Sequence, residues 1–259
     1  MKILLNNNDL NEALYKASNL GFVPTMGGLH KGHISLIKRS LRECNKTIVS
    51  IFINPTQFND KKDYNKYPRN NKKDLHLLKK LNVDFVYLQT VNEIYFKKRR
   101  SKIRLNKKDN ILCAKYRKGH FEGVIDVMDR LTKLIKPKKI FMGEKDFQQL
   151  YLVKNYLKNR HLSKIVQCKT IRDKNKLALS SRNLLLNKDC LLKASKLIQE
   201  LIRFKKKFNK KDNINRMLMI KKKKLTKLYN VKLEYLELRN IKNFKLSNKF
   251  KNSKIFIAF

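Results

Sequence analysis

The chain has 259 residues, 42% of them hydrophobic and 9% aromatic, enough to bury a sizeable core and too many for a disordered segment. Lysine and arginine number 63 against 20 acidic residues, a net charge of +43, and no apolar run approaches the ~18 residues of a membrane-spanning helix. The four cysteines (Cys44, Cys113, Cys168, Cys190) are scattered without CxxC spacing, which argues against a disulfide scaffold or zinc ribbon and for reduced thiols in a cytoplasm.

Along the chain, Gly21-Phe22-Val23-Pro24 reads as the end of a short buried strand. Ile34, Ile37 and Leu41 give a helical stripe running to Cys44. Thr47 to Ile53 is β-branched and nearly continuous, as a strand buried on both faces should be. Leu75, Leu78 and Leu81 mark a helix, and Val83 to Leu88 a strand. Val124, Val127, Met128, Leu131, Leu134 and Ile135 sit at helical spacing. Ile140-Phe141-Met142 reads as a strand, Phe147 to Leu157 as a helix, and Ile165 to Ile171 as a further strand. This alternation predicts an α/β fold: a parallel sheet with helices on both faces.

From about Asn183 the character changes. Two lysine-rich helices are expected over about 188–207 and 211–229, then strands over Val231 to Leu238 and Lys254 to Phe259. They form a smaller C-terminal α+β domain, giving domains of 1–175 and 176–259. Lys205-Lys206-Lys207, Lys210-Lys211 and Lys221 to Lys224 invite a nucleic-acid reading, because lysines near phosphates release counterions. No RNP-like aromatic strand or finger spacing accompanies them. Lysine is spread over the whole chain beside abundant Asn, Ile and Phe, a compositional bias, so the runs read as solvated faces without a specific nucleic-acid partner.

Glycine is scarce and clustered. Of seven, four (Gly21, Gly27, Gly28, Gly32) lie in one short stretch, and Gly119, Gly123 and Gly143 complete the set. A chain this poor in glycine keeps it where a side chain is not tolerated, at positive φ or at close backbone approach. Pro24-Thr25-Met26-Gly27-Gly28-Leu29-His30-Lys31-Gly32-His33 follows a strand and opens a helix. At that place free backbone N–H groups and the helix dipole favour an anion, typically phosphate. His30 and His33 share one face of the first turn, where imidazole donors meet charge developing on a phosphate.

HxGH here resembles the nucleotidyltransferase superfamily shared with class I aminoacyl-tRNA synthetases. The longer block PTMGGLHKGH, Ser50 to Phe58 (SIFINPTQF), Gly143 to Gln149 (GEKDFQQ) and Leu177 to Asn183 (LALSSRN) together resemble the pantothenate synthetase (pantoate–β-alanine ligase) family, in its order and spacing. Lys118-Gly119-His120-Phe121 and Tyr235 to Arg239 match it too, so the resemblance covers nearly the whole chain.

The resemblance implies a Rossmann-like first domain, a smaller lid domain, and two reactions in one site. Pantoate carboxylate attacks the α-phosphorus of ATP to give pantoyl adenylate and pyrophosphate; the amine of β-alanine then displaces AMP. It implies that Met26, Gly27, Gly28, Leu29, His30, Lys31, Gly32 and His33 cradle ATP, with His33 in the family's proton-donor place and His30 and Lys145 beside it in catalysis. Gly143, Glu144, Lys145, Asp146, Ile171 and Leu179 match nucleotide-holding positions. Lys145, Ser180, Ser181 and Arg182 close over the leaving pyrophosphate. Gln57 and Gln149 match pantoate binders, Gln57 also a β-alanine contact, and Asn54 is a plausible helper. Amides donate and accept at once, which suits hydroxyl and carboxylate recognition.

ATP is expected to bring Mg²⁺, held mostly by phosphate oxygens and water, with Asp74 as a candidate protein contact. A homodimer in the cytoplasm, without membrane attachment, is also implied. The sequence stops at Phe259, on what resembles the last strand of the second domain, so a shortened lid is expected. His76, His120 and His161 read as structural, and the cysteines as packing. Two rivals remain open: a same-fold adenylyltransferase, which needs neither Gln57 nor Gln149, and a basic RNA-binding protein.

Overall fold

A computed structural model describes residues 1–95, 103–208 and 213–259. Lys210-Lys211 and the first residues of the second lysine-rich segment lie outside the described residues. The elements run β1 (Lys2–Leu4), α1 (Asn7–Leu14), β2 (Leu20–Thr25), α2 (Lys31–Glu43), β3 (Lys46–Ile51), α3 (Lys61–Lys66), α4 (Asn71–Lys80), β4 (Phe85–Tyr87), α5 (Val91–Ile94), α6 (Cys113–Tyr116), α7 (His120–Ile135), β5 (Lys139–Gly143), α8 (Phe147–Leu157), β6 (Lys164–Cys168), α9 (Lys188–Lys205), α10 (Ile214–Tyr229), β7 (Tyr235–Asn240) and β8 (Ser253–Ala258).

Strands β1 to β6 form one sheet in the order β1-β4-β3-β2-β5-β6, and every pair is parallel. Phe22 on β2 is in register with Ile48 on one side and Ile140 on the other. Phe22, Val23, Ile48, Val49, Ile140 and Phe141 are fully buried, which is why these strands read as continuous apolar runs. Helices α2 and α4 cover one face, where Leu36, Ile37 and Leu78 join Val23, Val49, Val86 and Phe141 in one cluster. Helix α7 packs with α1 and α8 and buries Phe121, Val124, Ile125, Met128, Leu131 and Ile135. Ile37 and Leu78 are fully buried, and each contributes about 1.5–3 kcal/mol.

The connection order sets the site. From β2 the chain steps outward to β3 and β4, then returns to β5 beside β2. The crevice at the carboxyl ends of β2 and β5 is the reversal point where open α/β sheets take ligands.

Several short elements, β1 and α1 among them, are not predicted from the sequence. β1 is three residues long, and α1 buries only Leu10 among polar neighbours. Pairing with β4 makes β1, through Lys2 N–H to the Asp84 carbonyl at 2.8 Å. The strand expected to reach Ile171 ends at Cys168. Ile171 leaves the sheet because its carbonyl accepts the N–H of Leu179 at 3.0 Å, while Arg172 bridges to Ala178.

The chain divides into two compact units: residues 1–105, 118–173 and 178–185, and residues 106–117, 174–177 and 186–259. The sequence reading places one boundary between 175 and 176, whereas these units interleave. Tyr116 Oη donates to the Glu234 carbonyl and Arg117 pairs with Glu234, tying 106–117 into the second unit. Ser181 Oγ donates to the Gly28 carbonyl, tying 178–185 into the first.

In the second unit β7 and β8 pair antiparallel and α10 packs on β7. Leu197, Leu201, Leu218, Leu225, Leu236 and Leu238 form its core. Asn215 on α10 locks the sheet, accepting Leu238 N–H at 3.0 Å and donating to the Ser247 carbonyl at 2.8 Å. The lysine runs are only partly solvated faces. Lys221 pairs with Glu200 at 3.0 Å and lies over Phe204, and Lys222 donates to the Glu234 carbonyl; Lys223 and Lys224 are exposed. Among the described residues, no helix is long and apolar enough to cross a membrane. All four cysteines are free thiols.

Candidate active site

The turn from β2 into α2 is built around two glycines in the left-handed region, Gly27 (φ 79°) and Gly28 (φ 61°). A β-carbon is strained at both. The turn exposes amides that need acceptors, and Asp74 on α4 supplies two of them. Its Oδ2 accepts Gly28 N–H at 2.8 Å and its Oδ1 accepts Leu29 N–H at 2.9 Å, while the residue is only 2% exposed. Gly27 N–H goes to Thr25 Oγ1 at 3.2 Å. The sequence reading takes these amides as free for phosphate. They are occupied, because a buried N–H without an acceptor is costly. With each oxygen accepting one backbone N–H, Asp74 anchors the loop. Asp74→Asn is expected to lower stability by about 1.5–3 kcal/mol. Thermal melting reads this; an unmoved midpoint would show that the anchor carries no weight.

His30 and His33 cap α2 reciprocally. His30 Nδ1 accepts Gly32 N–H at 3.0 Å, and His33 Nδ1 accepts His30 N–H at 3.3 Å. The rings lie 4.1 Å apart between centroids. Burial pushes the His33 imidazole down to about 3, with His30 and Lys145 adding to the effect and Asp146 opposing it. Burial, then Lys145, also lowers His30.

Both rings line a cavity of about 260 Å³ at the reversal point of the sheet. β5 ends at Gly143 and turns through Glu144–Asp146, which brings Lys145 and Asp146 to the cavity. Lys145 Nζ lies 3.1 Å from Asp146 Oδ1. Gln149, in the first turn of α8, lines the same space.

Gln57 lies in the 3-10 turn Pro55–Gln57 after β3. Asn54, 1% exposed, holds that turn, accepting Thr56 N–H at 3.2 Å and donating to Gln57 Oε1 at 3.3 Å and to the Gly123 carbonyl at 3.2 Å. Gln57 Nε2 donates to Met26 Sδ. Asn54 therefore positions Gln57. His120, read as structural, also lines the cavity, with Nδ1 2.6 Å from the Gln57 carbonyl.

The segment 178–185 adds Leu179, Ser180, Ser181 and Arg182 to the lining, and Ile171 and Lys169 stand beside them. Ser181 Oγ donates to the Gly28 carbonyl at 3.0 Å. Arg182 is held by Asp63 on α3, with contacts of 3.0 and 2.8 Å, and its guanidinium lies 5.2 Å from the Tyr67 ring centre.

Of the residues predicted for the site, the cavity gathers Met26, His30, Gly32, His33, Gln57, Gly143, Lys145, Asp146, Gln149, Ile171, Leu179, Ser180, Ser181 and Arg182. Gly27, Gly28, Leu29, Lys31 and Glu144 are not in its wall; Lys31 is exposed, and Glu144 accepts from Gln167 Nε2. Sequence reasoning misses Asp63, Phe58, Tyr67 and Lys169. Asp63, Phe58 and Tyr67 are marked only by their contacts with Arg182, and Lys169 by its place in the cavity wall.

Comparison with known proteins agrees with this geometry. Residues 2–259 match the family model described as Pantoate-beta-alanine ligase. The chain is 41% identical over 253 residues to the pantothenate synthetase of Helicobacter acinonychis, covering 93% of this chain and 89% of that one. Against the pantothenate synthetase of Flavobacterium psychrophilum the identity is 40%, over 95% of this chain and 89% of the other. The crystal structure of a pantoate-beta-alanine ligase from Francisella tularensis, complexed with beta-gamma ATP and beta-alanine, superposes with a TM-score of 0.83 at 36% identity, covering 92% and 89% of the two chains. The pantothenate synthetase of Thermus thermophilus gives a TM-score of 0.90 at 30% identity, covering 96% and 91%. Matched by the family model over residues 2–259 and by relatives and solved structures over nearly its full length, the chain belongs to the pantoate–β-alanine ligase family.

Proposed function

We propose that this chain condenses (R)-pantoate with β-alanine to give pantothenate, with ATP consumed to AMP and pyrophosphate through a pantoyl adenylate. One observation carries the reading: paired imidazoles, Lys145, Gln57 and Gln149 meet in one cavity at the switch point of the sheet. The Francisella relative, complexed with beta-gamma ATP and beta-alanine, supports it.

Pantoate carboxylate is ionised at neutral pH and needs no base, so the first step calls for alignment and charge neutralisation. His30, His33, Lys145 and Arg182 would meet the phosphates, with Met26 to His33, Gly143 to Asp146, Ile171, Leu179, Ser180 and Ser181 around the nucleotide. Gln57 and Gln149 would hold pantoate, and Gln57 β-alanine as well. Mg²⁺ would travel with the triphosphate, since phosphate oxygens and water satisfy it. Nucleotide and pantoate sites are assigned to the first unit, and a lid role to the second. A cytoplasmic homodimer completes the reading.

Labelled pyrophosphate exchange into ATP tests this. Exchange is expected only with pantoate present, and pantothenate only when β-alanine is added. Exchange driven by a phosphate ester instead would identify an adenylyltransferase and overturn the ligase reading.

A further inference from the structure

We infer that His30 and His33 serve this reaction as neutral imidazoles, each fixed in the Nε2–H tautomer by the helix it opens. They donate Nε2–H hydrogen bonds to phosphate oxygens and carry no proton in either step. What the donors meet rests on the ligase reading above; the tautomer rests on the hydrogen bonds of the chain itself.

A ring nitrogen that accepts a hydrogen bond carries no proton. Both Nδ1 atoms accept from backbone N–H groups, Gly32 to His30 and His30 to His33, and a backbone N–H has no other role to offer. A neutral ring so placed has its proton on Nε2. Moving it to Nδ1, or adding a second proton, would set N–H against N–H and undo the cap of α2. The surroundings work in the same direction. The rings stand at the positive end of α2, and the cavity also holds Lys145 from the turn after β5, Lys169 from beyond β6, and Arg182. His120 reaches it from α7, and among the described residues Asp146 is the one acidic residue in its wall. Burial and Lys145 keep both imidazoles below their usual range. A neutral imidazole at a helix N-terminus, used as an electrophile, is an established solution for polarising an oxygen.

The chemistry balances without an imidazole acid. In the first step a pantoate oxygen bonds to the α-phosphorus, and the bond to the bridging oxygen breaks with its electron pair on pyrophosphate. No proton moves. In the second step the ammonium of β-alanine loses one proton before attack and one as the C–N bond forms, and the electron pair of the broken acyl–oxygen bond leaves with AMP. Both protons go to water. The proton-donor role that the resemblance gives His33 is thus replaced by hydrogen-bond donation.

The test is a long-range ¹H–¹⁵N correlation of the histidine side chains in the full-length labelled chain between about pH 5 and 8. It is run alone and with α,β-methylene ATP. Rings are assigned through their own β-carbons, so no substitution is needed. The expected result is the Nε2–H pattern for His30 and His33 at every pH, with the Nε2 proton shifting when the analogue binds. A midpoint inside this range, an Nδ1–H pattern, or a doubly protonated ring in the complex would overturn the inference. Failure of the ligase reading looks different: no pantoate-dependent exchange, with the tautomers unchanged.

Discussion

Replacing His33 with alanine is expected to slow pantoate-dependent pyrophosphate exchange by about 10²–10³-fold, the usual cost of one donor aimed at developing charge. The substitution removes the Nε2 donor. It also removes the Nδ1 acceptor of His30 N–H, so the first turn of α2 loses one half of its cap. Loss of a cap costs about 0.5–2 kcal/mol, so this variant should also melt earlier. Lys145→Ala separates the two effects. Its ammonium is paired with Asp146, whose side chain is 60% exposed, and exposed pairs add only about 0–1 kcal/mol. Here the exchange rate should fall by a similar factor while the melting midpoint stays put. Exchange at the parental rate in either variant would remove that residue from the phosphate site.

What the sequence reveals follows the range of its signals. Local patterns are legible: the helix at Phe147–Leu157 has the bounds that periodicity gives it, and the HxGH turn stands where a strand meets a helix. Partners distant in sequence are not. The amides of Gly28 and Leu29 read as free because their acceptor, Asp74, is supplied from α4, 46 positions beyond Gly28. Arg182 reads as an open cation for the same reason, since Asp63 lies 119 positions before it. Asn54 is visible only as a neighbour of Gln57, yet its bond to the Gly123 carbonyl ties the turn to α7. Charge misleads differently: Lys221 and Lys222 belong to a run that composition assigns to solvent, and both are engaged in the second unit. The edge strand β1 exists only because β4 offers a free edge, which three residues cannot announce.

Gly123 shows how a sparse residue can report a contact, and Gly123→Ala is the sharpest structural test. A β-carbon there would lie 2.3 Å from the Thr56 carbonyl oxygen, 2.6 Å from its carbon and 2.9 Å from Gln57 N. All three are backbone atoms in the turn that Asn54 pins to α7, so no side chain can swing aside. Helix and turn must separate, and overpacking of this kind costs about 1–3 kcal/mol or more. Intrinsic propensity pulls the other way, because alanine is favoured over glycine inside a helix by about 1 kcal/mol. The sign of the stability change therefore decides which term wins. We expect a net loss in thermal melting, together with a raised KM for pantoate and β-alanine and a KM for ATP that moves little. Gln57 rides on the displaced turn, whereas the imidazoles and Lys145 stand on α2 and at the end of β5. A stabilised variant with unchanged pantoate affinity would show that the close approach of α7 does not hold Gln57 in place.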